Sequence, residues 1–175
     1  ALAALRLPAG GLGYGAAAVR ETFEEAGLLL ATDLPTGAFA RVADRRLDVE
    51  LGRLHLADLA AGEGLTFELG ALHYFGHWIT PRGNHRRYDT RFFVTAAPAG
   101  QEPVHDDREA VASEWVRPAD MLDRLRAGLV WMLPPTEACL RALAAAPNAA
   151  ALLADLDARP DGPPRLVADW GGVRI

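Results

Sequence analysis

Arg20–Leu28, RETFEEAGL, decides how the rest of the chain is read. Glu21, Glu24 and Glu25 stand at i, i+3 and i+4, positions that share one face of a helix. Like charges at that spacing repel, so a helix gains no stability by gathering them. A divalent cation with oxygen ligands turns the repulsion into binding, and Mg²⁺ or Mn²⁺ suits carboxylates best. A solvated acidic face is the plain alternative, and spacing alone does not choose between the two. Two neighbours tip the balance. Arg20 can hold an adjacent carboxylate in the orientation a metal ligand needs. Gly27 is free to take a positive φ and so to end the helix before the apolar Leu28–Leu30.

These residues resemble the core of the Nudix box, R-E-apolar-x-E-E-x-G-apolar. The match falls on Arg20, Glu21, Glu24, Glu25, Gly27 and Leu28, with Thr22 at the first apolar position as a mild departure. Pro8-Ala9-Gly10-Gly11 resembles the turn that precedes the box in that family, though it lies closer to the Arg than the family's does. No acid occurs before Glu21, and the strands expected upstream do not fit ahead of the box. The expectation is therefore that residues of that region are missing from this sequence. The resemblance implies an α/β (α+β) fold with a mixed β-sheet between helices. It implies one Nudix domain over 1–175, with a helical insertion at 33–64 and C-terminal helices at 135–158. Carried over position by position, Glu24 and Glu25 become metal ligands, Glu21 a ligand or base, and Arg20 the orienting partner. The implied cofactor is Mg²⁺ or Mn²⁺.

The order of the later motifs narrows the resemblance. FEEAGLLL, a helical stretch, WITP, RRYDTRFF, D-x-x-E-x-x-x-x-E-W and LPPT follow one another from Gly10 to Leu143. That order is similar to the branch containing peroxisomal coenzyme A diphosphatases and their bacterial relatives. The branch implies cleavage of the coenzyme A pyrophosphate to adenosine 3′,5′-bisphosphate and 4′-phosphopantetheine. Fold membership does not fix a substrate. NADH or ADP-ribose cleavage is the enzymatic alternative, and a nucleotide-binding module without turnover is the alternative from another class.

Composition sets the bounds. Half of the 175 residues are apolar and 23% are charged, enough for a globular domain with a real core. A net charge of −5 argues against a general nucleic-acid surface. All 18 basic residues are Arg, the better phosphate fork. The single cysteine, Cys139, excludes an internal disulfide framework and fits a reducing, cytoplasmic setting. No apolar run is long enough to span a membrane. The expected partner is a small-molecule nucleotide, with neither nucleic acid nor membrane; a homodimer stays open.

Along the chain, Leu5–Pro8 reads as a strand end, and Gly10, Gly11, Gly13 and Gly15 as a loop. Ala16–Ala26 reads as a helix with an inner stripe of Ala17, Val19 or Ala18, and Phe23. Thr36–Gly62 has helical spacing in pieces at Phe39, Val42, Leu47, Leu51, Leu54 and Leu59, closed by Gly62 and Gly64. It reads either as packing or dimer surface, or as a lid that selects substrate. Leu72–Ile79 and Tyr88–Ala96 are expected as a paired hairpin around a basic turn. Alternation sends Tyr88, Thr90, Phe92 and Val94 to one face, and Asp89, Arg91 and Phe93 to the other. Pro98–Ala112 reads as an acidic loop. Glu114–Val116 and Leu129–Leu133 read as short strands, and Pro118–Ala127, Pro135–Ala145 and Asn148–Ala158 as helices. Arg165–Trp170 reads as an edge strand.

Cleaving a pyrophosphate needs positive charge on the phosphoryl oxygens and an activated water. Glu109, in HDDREAVASEWV, precedes Trp115 by a spacing the family shows for its later acid, with Asp106 and Asp107 as competitors for the role of base. Arg82, Arg86, Arg87 and Arg91 can fork onto phosphate oxygens; a solvated turn, or an Asp89–Arg91 or Asp89–Arg87 pair, is the plain reading. His73, His77, His85 and His105 lack a helical His-x-x-x-His pairing and read as structural.

Overall fold

The computed structural model describes residues 11–32 and 34–158, together with the strands Leu166–Asp169 and Gly172–Arg174. The expected strand end at Leu5–Pro8 and the glycine at 10 lie outside the described residues. The chain forms two compact units, one of Gly10–Ala71 with Ala97–Glu114, the other holding Leu72–Ala96 and Trp115–Ile175.

The first unit is organised on helix α1, Gly11–Ala26. Gly15, Val19 and Phe23 recur every fourth residue and are buried, so this stripe is the inner face. The helix begins earlier than expected: Gly11–Gly15 is helical, not a loop, and Gly15 is buried on its inner face. Thr22, the departure from the box, donates its hydroxyl to the Ala18 carbonyl at 2.8 Å and so needs no other partner. Gly27 ends the helix as expected, at φ 67°, with its N–H on the Phe23 carbonyl at 3.0 Å. Leu28, Leu29 and Leu30 then run through the core.

Ala31–Thr32 (β1) pairs antiparallel with Thr66–Phe67 (β2), Ala31 opposite Phe67. Between them lie α2 (Ala38–Ala43), α3 (Arg46–Glu50) and α4 (Leu56–Glu63), the helical pieces expected there. Gly64 closes α4 at φ 67°. The inner stripe differs from the expected one. Val42, Val49 and Leu59 are buried, whereas Leu47 and Leu51 are exposed, because breaks at Asp44–Arg45 and Leu51–His55 reset the helical phase.

Among the described residues, the second unit holds a mixed four-stranded sheet and three helices. His73–Ile79 (β3) and Asp89–Val94 (β4) form the expected antiparallel hairpin, with a bulge between Tyr74 and Gly76. Leu166–Asp169 (β5) runs parallel to β3, and Gly172–Arg174 (β6) pairs antiparallel with β5, giving the order β4-β3-β5-β6. β5 is therefore an interior strand rather than an edge, and β6 was not foreseen. The helices α5 (Pro118–Arg126), α6 (Pro134–Ala144) and α7 (Ala149–Asp157) match expectation, the last capped by the Asn148 side chain on the Ala151 N–H. Leu152 and Leu156 of α7 pack on Phe75, flanked by Val94, Cys139, Ala142 and Leu143.

Two expected strands are absent. Glu114–Val116 and Leu129–Leu133 form no ladder. Gly128, at φ 70°, turns the chain, and Leu129 and Trp131 point to solvent, so their alternation finds no neighbouring strand to pair with. Among the described residues no single helix is long and apolar enough to cross a membrane.

Candidate active site

The first unit holds a cavity of about 540 Å³ lined by Arg20, Glu21, Glu24 and Glu25 of α1, Glu50 and Leu51 at the end of α3, and Asp106, Arg108 and Glu109 of the acidic loop. The sequence-picked triad and the sequence-picked later acid thus share one opening. Glu24 is buried, and a buried carboxylate is costly unless paired. Arg20, one turn back, supplies the pair: Nη1 donates to Glu24 Oε2 at 2.5 Å, while Nη2 donates to Glu21 Oε1. Burial works against the Arg20 charge, but the Glu24 hydrogen bond and both carboxylates outweigh it and push the guanidinium above its ordinary value.

Glu25 is the carboxylate left over. Its side chain is exposed to the cavity and makes neither a hydrogen bond nor an ion pair among the described residues. Desolvation raises its pKa first, and the charges of Glu21, Glu109, Asp106 and Glu24 raise it further. Four like charges thus bear on this one carboxylate, in a cavity that Arg20 and Arg108 also line.

The loop opposite is shaped by Asp106, whose two oxygens accept the N–H groups of Glu109 at 2.9 Å and Ala110 at 2.7 Å. These backbone bonds hold its pKa down at about 2. Asp107 takes a left-handed φ of 61° and sits 3.0 Å from the His105 ring. With Asp106 spent on the turn, Glu109 is the acid of this loop whose side chain has no such duty.

Three tethers hold the loop. Gln101, buried, accepts the Leu29 N–H at 2.8 Å and donates to the Leu29 carbonyl at 3.1 Å, standing in for a strand partner. Val104 donates its N–H to the Ala26 carbonyl at 2.9 Å. Arg46 of α3 donates to the carbonyls of Glu24 and Val104.

The donor set fits a hard divalent cation: oxygen-only, anionic, and in Glu25 unpaired. Even so, no three His, Cys, Asp or Glu side chains converge on one point among the described residues, because Arg20 draws Glu21 and Glu24 to itself. The hairpin arginines belong to the other unit. Arg91 bonds Asp89 at 2.8 Å with its side chain buried, and Arg87 donates to the Thr80 carbonyl at 2.8 Å. Arg82 and Arg86 are exposed in the turn. His77 meets Asp89 at 2.6 Å and His73 meets Asp157 at 3.5 Å, which gives both the structural roles expected. A separate aromatic slot of about 140 Å³ lies beside Trp78, Tyr88, Thr90 and Phe92, the last three from the face that alternation assigned together.

Sequence reasoning missed Arg46, Glu50 and Arg108. Arg108 Nε lies 3.2 Å from Glu50 Oε1, a long-range pair that no local spacing announces.

A family model, the NUDT19 Nudix domain, matches residues 5–143. The chain is 32% identical to human acyl-coenzyme A diphosphatase NUDT19, over 67% of this chain and 35% of that protein. It is 29% identical to the protein of the same name from Gallus gallus, over 72% of this chain and 39% of that one. The chain thus spans less than two-fifths of the length of these curated relatives. A crystal structure of a Nudix hydrolase from Alicyclobacillus acidocaldarius superposes with a TM-score of 0.66 at 35% identity, covering 78% of this chain and 63% of that one. The chain belongs to the Nudix hydrolase family, in the NUDT19 branch, and has the α+β Nudix fold.

Proposed function

We propose that this chain hydrolyses the pyrophosphate of coenzyme A or an acyl-coenzyme A, releasing adenosine 3′,5′-bisphosphate and 4′-phosphopantetheine or its acyl form. One observation carries the reading: the carboxylates of α1 and Glu109 of the loop line a single cavity with Arg108. The named activity of the NUDT19 relatives supports the substrate class.

Glu21, Glu24 and Glu25 would hold Mg²⁺ or Mn²⁺, which would supply positive charge to offset that of the phosphoryl oxygens. Arg20, paired with Glu21 and Glu24, keeps both carboxylates oriented, as a supporting partner of metal ligands would. Glu109, without a hydrogen bond to its carboxylate among the described residues, accepts the proton of the attacking water. Arg108 leaves Glu50 to fork onto a phosphate oxygen. Arg82 and Arg86 are further phosphate candidates. The stretch 33–64 is an insertion whose α3 walls the cavity.

The test incubates the chain with coenzyme A, NADH and ADP-ribose in turn, with Mg²⁺ or Mn²⁺, and identifies the products. Release of adenosine 3′,5′-bisphosphate is the expected result. Glu109→Gln should lower kcat by about 10²–10⁴-fold, and Arg108→Ala should raise KM more than it lowers kcat. Cleavage of NADH or ADP-ribose alone refutes the substrate, and tight nucleotide binding without turnover refutes the enzyme.

A further inference from the structure

The last turn of a helix leaves carbonyls without intrahelical partners, and each needs one when buried. At the end of α1 three are accounted for. The Phe23 carbonyl takes the Gly27 N–H, the Ala26 carbonyl takes the Val104 N–H, and the Glu24 carbonyl takes Arg46. Arg46 does more than cap. Its Nε and Nη2 converge on the Glu24 carbonyl at 3.0 and 2.8 Å, while Nη1 reaches the Val104 carbonyl at 2.7 Å. One rigid fork therefore joins the peptide between Glu24 and Glu25 to the loop two residues before Asp106. Gly27 makes room for it, since a Cβ there would meet Arg46 Nη1 at 3.0 Å.

We propose that Arg46 is a positioning residue that sets the separation between the α1 carboxylates and Glu109 by bridging their backbones. The inference rests on the reading that these carboxylates act together. It assigns α3 a fixed part in the site, in place of a moving lid. The planar guanidinium is what the bridge requires, because an ammonium is a point charge that cannot span two carbonyls with the same geometry. The Val104 N–H on Ala26 and the Gln101 amide on Leu29 tether the loop further back, so losing Arg46 frees residues 105–109 without releasing the whole segment. Misplacement by about 1 Å at a reacting group costs up to about 10²-fold in rate.

The experiment compares wild type, Arg46→Met and Arg46→Lys by amide hydrogen exchange and by steady-state kinetics. The kinetic substrate is whichever of coenzyme A, NADH or ADP-ribose the wild type cleaves best with Mg²⁺. In both variants exchange at Glu109 and Ala110 should accelerate at least tenfold while the Val104 amide and the α1 interior stay protected. Both should lose about 10- to 100-fold in kcat with KM within about twofold. Wild-type exchange at Glu109 and Ala110, faster exchange with unchanged kcat, or full recovery of kcat by Arg46→Lys each overturns the proposal. Should Arg46→Met fail to fold, Arg46→Lys alone decides. Should wild type cleave nothing, the function proposed above fails, and the exchange data still judge the bridge.

Discussion

Replacing Gln101 by Ala should cost far more than an exposed-loop substitution. Its amide satisfies both backbone groups of Leu29, a residue with 0% of its surface exposed. Removal strands the buried Leu29 N–H, worth about 1–3 kcal/mol, while the Leu29 carbonyl keeps the Ala31 N–H at 3.0 Å. The expected total is about 1–3 kcal/mol, or about 3–9 °C in Tm for a chain of this size. Gln101→Glu separates the two bonds. An ionised carboxylate still accepts the Leu29 N–H but faces the Leu29 carbonyl with no proton to offer. Its protonated form can serve both, so folding favours the protonated state and lifts that pKa. The Gln101→Glu deficit should therefore grow as pH rises above the ordinary carboxylate range and shrink in acid. Urea unfolding at pH 4 and pH 7 measures both effects. A loss under about 0.5 kcal/mol for Gln101→Ala, the level of a neutral surface change, would refute the strand-substitute role.

Two further predictions concern charge. Because the folded-state pKa of Glu25 is raised, the fold takes up a proton there; the resulting penalty is absent below the unfolded pKa and complete above the folded one. Glu25→Gln should thus raise Tm at pH 8 in metal-free buffer and leave it unchanged well below the ordinary Glu value, while abolishing most turnover; equal Tm at pH 8 would contradict the crowding. Asp106 is the opposite case. Held at about 2 by the Glu109 and Ala110 N–H groups, it contributes stability above its unfolded pKa that disappears as pH falls toward 2. Asp106→Asn should flatten that acid limb and speed exchange at both amides, and an unchanged limb would remove the turn from the account.

What was legible in the sequence was what local period and local charge can carry. The Glu21/Glu24/Glu25 face, the Gly27 stop and the β3–β4 hairpin are each written within a few residues. Distant pairings were not. Arg46 reaches Val104 across 58 positions and Gln101 reaches Leu29 across 72, and neither residue looks special among its neighbours. Leu129–Leu133 shows the reverse failure: its alternation suits a strand, but a strand exists only where a partner edge is at hand. Glycines misled once, at Gly11–Gly15, where a run that suits a turn is instead the first turn of α1, with Gly15 buried and Gly13 open to solvent.

The thiol of Cys139 has a practical consequence. Packed beside Phe75 and Leu152, it is pushed up to about 11 by burial, so almost none of it is thiolate at neutral pH. Maleimides and mild oxidants should pass it by. A pair of cysteines, one introduced on the Asp106–Glu109 loop and one on α3, would then be labelled in preference to the native thiol, letting a pair of fluorophores or spin probes report distances across the cavity without first removing the native sulfur.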